Sequence, residues 1–238
     1  MKARGLIFDY GGTIDTDSVH WSHVLWDGYV AQELGATDYE AFRQAYVHGE
    51  RTLARQPLIR PEHNMLELLR IKVGIELAWL CDNGYWTASR EQQDAKAEAI
   101  ARHCYDHVLD VLTASRAVLQ RLAAHYPMVL VSNFYGNIGT ILSDFRLDMF
   151  QTVVESAVVG IRKPDPRIFQ LGVDALGLPA GETVVVGDSF SKDIVPAASL
   201  GCQTVWIRGR GWGEETVDES IPTHIITSIT QLPPLLEI

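Results

Sequence analysis

The sequence predicts an α/β fold: a doubly wound parallel sheet carrying a smaller all-helical cap domain. Three observations point to it. Short apolar runs recur and end abruptly in Asp, Gly or Ser-Asn. Helical patterns separate most of them. One long stretch after the first run contains no comparable run and is rich in helix formers and aromatic residues.

Leu6–Phe8 is followed by Asp9 and the Gly11-Gly12 pair, and reads as a buried strand entering a turn. Met128–Val131 ends in Ser132-Asn133, Thr183–Val186 in Gly187-Asp188, and Gln203–Ile207 near Arg208-Gly209. Thr152–Glu155 and Ile225–Thr227 read as shorter strands. Between them, Ser115 is expected to cap a helix carrying Val118, Leu119 and Leu122. Asp165-Pro166 opens a second helix, and Asp193–Leu200 forms a third that stops at Gly201. Strands alternating with helices imply parallel pairing, with both sheet faces covered. Residues 17–107 break the rhythm, with helical patterns over Tyr39–Tyr46, His63–Val73 and Ser89–Val108. The expected division is a core of residues 1–16 plus 108–238 and a helical cap of residues 17–107.

The chain has 238 residues, 47% of them apolar and 21% charged, enough for a sizeable core. Its formal charge of −10 argues against nucleic acid or an anionic membrane as partner. A small anion is still admissible where a site is locally positive. Cys81, Cys104 and Cys202 show no metal or redox spacing and read as free thiols in a reducing compartment. The first apolar run is too short for a signal-peptide core, so a soluble cytoplasmic protein is expected. Oligomeric state is left open.

Ligands of open parallel sheets bind outside the carboxyl ends of the strands, where strand order reverses. Three such ends carry polar groups here: Asp9, Ser132-Asn133 and Asp188. Carboxylates converging from separate strands repel one another, and a hard cation such as Mg2+ relieves that repulsion. Gly11 and Gly12 allow backbone amides to approach an anion closely. Ser132 offers a hydroxyl, Asn133 an amide, and Lys163 a point charge on a proline-flanked loop.

These four segments, in this order, resemble the four motifs of the haloacid-dehalogenase-like hydrolase superfamily. Phe8-Asp9-Tyr10-Gly11-Gly12-Thr13 is similar to the first motif and Val131-Ser132-Asn133 to the second. Lys163 in Arg162-Lys163-Pro164-Asp165-Pro166 is similar to the third, and Gly187-Asp188-Ser189 through Asp193 to the fourth. The resemblance covers residues 1–16 and 108–238 and implies a Rossmann-like core. It implies that Asp9 is the nucleophile, forming an aspartyl-phosphate, while Ser132 and Lys163 bind the phosphoryl group. It also implies Mg2+ held by Asp9, the Gly11 carbonyl, Asp188 and Asp193. The helical insert resembles the cap of the subgroup containing phosphoglycolate phosphatases, β-phosphoglucomutases, phosphonatases and haloacid dehalogenases. The expected function is Mg2+-dependent hydrolysis of a small phosphorylated metabolite.

One position departs from the pattern. Gly11 stands where most phosphatases of this superfamily carry a second Asp, the general acid and base. Three readings follow: a leaving group that needs little protonation, such as an acyl phosphate; acid–base help from elsewhere, with Asp15 and Asp17 as candidates; or another chemistry. Other chemistry means dehalogenation or a phosphonatase-type Schiff base on Lys72 or Lys96, both of which read as solvated helix lysines. A phosphate-binding protein with little turnover is a further alternative. His103 and His107 have zinc-compatible i, i+4 spacing but read as a helix face. Trp21 and Trp26 read as packing between cap and core.

Overall fold

A computed structural model of the chain describes residues 2–34, 38–213 and 216–238. Six parallel strands form one sheet: β1 (Gly5–Phe8), β2 (Met128–Ser132), β3 (Thr152–Glu155), β4 (Thr183–Gly187), β5 (Gln203–Ile207) and β6 (His224–Ile226). Their order is β3-β2-β1-β4-β5-β6, that of a doubly wound sheet. Every residue of β1, β2 and β4 is buried, as uninterrupted apolar runs require when both faces are covered. Successive side chains point to opposite faces. Leu6, Phe8, Leu130, Val184 and Val186 pack into one cluster. Ile7, Val129, Val131 and Val185 pack into another, with Ile168, Phe169 and Val173.

Strand order reverses between β1 and β4. The Asp9 amide donates to the Val186 carbonyl (3.0 Å), which brings the β1 and β4 carboxyl ends level. Across β2, Gly172 lets the helix α7 (Arg167–Leu176) sit directly on Val131 and Ile7; an added Cβ would meet those side chains at 2.9 and 3.0 Å. The other core helices are α5 (Ile138–Asp144), α6 (Ser156–Val159), α8 (Val195–Ser199) and α9 (Leu232–Leu235). A single π-helical turn, Phe190–Ile194, joins β4 to α8.

Among the described residues, four helices lie between β1 and β2: α1 (Trp21–Ala31), α2 (Tyr39–Arg55), α3 (Met65–Asp82) and α4 (Arg90–Ala123). Capping boxes open two of them, Asn64 with Glu67 on α3 and Ser89 with Gln92 on α4. The expected cap at Ser115 is not a helix start. Ser115 is fully buried in the middle of α4, which runs unbroken for 34 residues. No Gly or Pro interrupts Arg90–Ala123, and the apolar period continues through Val108, Leu112, Val118 and Leu122. The expected division at 107/108 therefore falls inside one helix, whose length touches α1 and α3 as well as α9. Among the described residues, no helix is long and apolar enough to cross a membrane.

The insert carries charge in its interior. Lys72, expected to be solvated, is buried against Glu50 of α2, because its position on α3 faces α2. One turn on, Glu76 is fully buried. Its Oε2 accepts from the Tyr29 hydroxyl (3.1 Å), and among the described residues its Oε1 has no hydrogen-bond partner. Burial lifts the Glu76 carboxyl from 4.5 to about 7, against the opposing pull of Lys72. A raised acid pKa in the folded state stabilises at low pH, and that stability is lost as pH rises toward the folded pKa. Chemical denaturation of Glu76→Gln should accordingly lack a fall of about 2–3 kcal/mol that the parent chain undergoes between about pH 4.5 and 7. At pH 8 the variant should be the more stable of the two.

Candidate active site

Asp9 follows β1 at the sheet's reversal point and is 6% exposed. Lys163 reaches it from the loop before α7, donating to Asp9 Oδ1 at 2.6 Å. The same ammonium donates to Asp193 Oδ1 at 2.7 Å, with both side chains only 2% exposed. Asp188 completes the cluster. Oxygens of Asp9, Asp188 and Asp193 all fall within 4.8 Å of one another. This donor set, all hard oxygen, fits a divalent cation. One lysine cannot balance three carboxylates. Burial raises the Asp188 carboxyl well above the ordinary range, and the charges of Asp9 and Asp193 add to the rise. Burial likewise lifts Asp193 to about 6, although Lys163 pulls the other way. Burial alone would depress Lys163, but Asp193 and Asp9 more than reverse this and hold it protonated.

Thr13 ties the first and fourth segments together. Its Oγ1 lies 3.3 Å from Asp9 Oδ2 and 3.1 Å from Asp188 Oδ1, and it accepts from the Asp188 amide (3.0 Å). Sequence reasoning missed this bridge, although Thr13 belongs to the first motif. Asp188 is also held by Trp206, whose Nε1 donates to its carbonyl (2.8 Å). Two glycines let these carboxylates approach. A Cβ on Gly12 would strike the Asp188 carboxylate, and Gly12 has φ +97°. A Cβ on Gly187 would lie 2.5 Å from that of Asp193.

Asp15 is fully buried and organises the Gly11-Gly12 turn. Its Oδ1 accepts from the Gly12 amide (2.7 Å) and its Oδ2 from Trp21 Nε1 (3.0 Å). Burial raises its pKa to about 7, opposed by those two hydrogen bonds. With both oxygens engaged, Asp15 shapes the loop and is not a free acid. Asp17, the other sequence candidate, instead accepts from the Ile229 amide (2.8 Å). Position 11 itself is roomy: an added Cβ would meet only Trp21 Nε1, at 3.9 Å.

Ser132 ends β2 and is buried; among the described residues its hydroxyl has no protein partner. Asn133 holds the Lys163 loop. Its Oδ1 accepts from the Lys163 amide (2.9 Å) and its Nδ2 donates to the Lys163 carbonyl (3.1 Å). One N–H and one lone pair of the amide thus position the lysine loop. Among the described residues, His103 and His107 join no metal-like cluster. Trp26 packs on Tyr39 and Phe42 within the insert.

The family model "haloacid dehalogenase-like hydrolase" matches residues 3–201. The chain belongs to that family. Among curated relatives, haloacid dehalogenase-like hydrolase domain-containing protein 3 of Danio rerio is 35% identical over 109 residues, 45% of each chain. Glyceraldehyde 3-phosphate phosphatase of Pyrococcus furiosus is 34% identical over 91 residues, 38% of this chain and 37% of the relative. N-acylneuraminate-9-phosphatase of Rattus norvegicus is 31% identical over 127 residues, 51% and 50%. The chain thus spans half or less of the length of these relatives. Among solved structures, a dehalogenase with an intermediate complex superposes with TM-score 0.64 at 20% identity, covering 98% and 97%. The Bacillus subtilis HAD-hydrolase YfnB, bound to magnesium, superposes with TM-score 0.60 at 17% identity, covering both chains fully. At these identities the likeness is one of fold.

Gly12→Ala tests the geometry of this haloacid dehalogenase-like site. Strain at positive φ and the displaced Asp188 carboxylate should lower the melting temperature by several degrees. Any affinity of the carboxylate cluster for a divalent cation, read by calorimetric titration, should fall by about tenfold or more.

Proposed function

We propose that this chain is a Mg2+-dependent phosphatase of small phosphorylated metabolites, acting through an aspartyl-phosphate on Asp9. The core residues 1–16 and 108–238 would perform the chemistry and residues 17–107 would cap it, with the division lying within α4. One observation carries the reading: a buried Asp9 carboxylate clasped by Lys163 and Thr13, with two further carboxylates within 4.8 Å. Lys163 fixes Asp9 Oδ1, and Oδ2, which Thr13 Oγ1 approaches at 3.3 Å, would make the in-line attack on phosphorus. The P–O bond to the leaving group then breaks, and water hydrolyses the acyl phosphate, restoring the carboxylate. Ser132 Oγ and the amides of the Gly11-Gly12 turn would receive the phosphoryl oxygens. Mg2+ held by Asp9, Asp188, Asp193 and the Gly11 carbonyl would neutralise the phosphoryl charge. Phosphatases acting on small phosphates among the relatives support the same class.

The alternatives draw less support. A Schiff base needs a neutral amine, whereas Lys72 is held charged by Glu50 despite its burial. Metal-free dehalogenation gives the three-carboxylate cluster no task.

Gly11 sets the expected substrate preference. With no acid at this position, acyl phosphates, whose leaving group needs little protonation, should outpace alkyl phosphates. Assayed with Mg2+ and acetyl phosphate, Asp9→Asn should lose at least about 10³-fold in kcat. Turnover surviving in that variant would overturn Asp9 as nucleophile. Mg2+ and phosphate binding without hydrolysis of any acyl phosphate would point to a binding protein instead. Gly11→Asp, whose Cβ would meet Trp21 Nε1 only at 3.9 Å, should raise alkyl-phosphate turnover relative to acetyl phosphate by about 10²-fold.

A further inference from the structure

The helix α2 has two faces. Phe42, Tyr46, Gly49 and Leu53 are buried and pack toward α3 and the rest of the insert. On another face Arg43, Val47, Arg51 and Arg55 recur every four residues and form one row along the helix. This row lines a cleft of about 660 Å³, together with Trp79 of α3 and Trp212 of the segment after β5. Arg51 and Arg55 are exposed. Arg43 is half-buried, with its guanidinium 4.4 Å over the Trp212 ring. None of the carboxylates around Lys163 lines this cleft.

The cleft is basic in a chain whose formal charge is −10. Among the described residues Glu40 is the one acid in its lining. Among them, too, no ion pair engages Arg43, Arg51 or Arg55. Glu50, next to Arg51 in sequence, is paired with Lys72 instead. Glu214 and Glu215, which follow Trp212 in sequence by two and three residues, lie outside the described residues. Guanidiniums on one helix face repel one another, and an anionic ligand relieves that repulsion. Spacing selects the kind of anion. Helical rise sets Arg51 and Arg55 about 6 Å apart along the axis, and Arg43 about 12 Å before Arg51. Alternate side chains of an extended peptide stand about 6.6 Å apart on one side, a near match to one helical step of four residues. A compact anion such as a triphosphate falls short of the full row of about 18 Å. A single nucleic-acid strand would draw on base stacking, but both indoles are already packed. Trp79 stacks on Tyr85 and lies beside His48, while Trp212 carries Arg43 and Tyr46.

We propose that the α2 cleft docks an extended acidic peptide segment of a partner protein, with Asp or Glu at alternate positions paired to Arg43, Arg51 and Arg55. The test is fluorescence anisotropy on the full chain with a dye-labelled heptapeptide alternating glutamate and threonine. The reference is the same peptide with glutamine for glutamate. In low salt the glutamate peptide should bind with Kd of about 10–100 µM, at least about tenfold tighter than the glutamine peptide. Raising the salt to about 0.3 M should weaken it by about tenfold. Arg51→Gln with Arg55→Gln alters two exposed side chains and should cost at least about tenfold in affinity, and Arg43→Gln about threefold. Arg121→Gln, at an exposed arginine of α4, should leave binding unchanged. Thermal melts verify that each variant is folded. Equal binding of the two peptides, or full binding in the Arg51/Arg55 double variant, would overturn the docking site. So would displacement of the peptide by tripolyphosphate or an oligothymidylate at concentrations no higher than unlabelled peptide requires, since the occupant would then be another polyanion. Binding that emerges only in Glu214→Gln with Glu215→Gln would show the cleft filled by the chain's own acids, and would overturn it equally.

Discussion

Among the described residues Lys163 is the cation placed among the carboxylates of Asp9, Asp188 and Asp193, and the arrangement of the site follows from that imbalance. Its ammonium reaches Asp9 and Asp193 at once, across 154 and 30 residues of sequence. Without it, two carboxylates would face each other in a medium too apolar to screen them. With it, Asp188 is still left with no cation of its own, and its carboxyl is driven strongly upward. The residual repulsion gives a divalent cation its electrostatic reason to bind there. The backbone supports this directly: Asn133 clasps the Lys163 peptide at both its amide and its carbonyl.

The loops around this cluster are shaped by hydrogen bonds to the main chain. Asp15 gathers the Gly12 amide and the Trp21 indole, and so fixes the turn through which Asp9 leads to the helical insert. Thr13 joins that turn to the end of β4. Glycines at 12 and 187 remove the Cβ atoms that would hold Asp188 and Asp193 away. At position 11 the opposite holds. A Cβ there would meet Trp21 Nε1 only at ordinary van der Waals distance.

The helical insert continues the same economy of charge into its own interior. Lys72 and Glu50 neutralise each other, while Glu76 is left with one oxygen unsatisfied and a raised pKa. Tyr135 carries this network from the insert to the core. The rigidity of α4, unbroken from Arg90 to Ala123, gives the two regions a shared frame.

The alternation of apolar runs with helical periods made the α/β sheet legible in the sequence, because burial on both faces forces continuous apolar strands. The polar strand ends made Asp9, Ser132 and Asp188 stand out, and two flanking prolines did the same for Lys163. These are local signals, each spread over a few residues. Other features were hidden because they depend on long-range pairing. Lys72 reads as an exposed helix lysine until α2 is laid against α3. The hold of Asn133 on the Lys163 loop is invisible until that loop closes on it, and Ser115 reads as a cap until α4 is seen to pass through it. The sequence by itself determined the strands, the helical insert and the chemical types at the strand ends, since periodicity and turn chemistry act between neighbours. Tertiary structure alone decided which charge meets which, because desolvation and pairing arise only when distant segments come within a few ångströms.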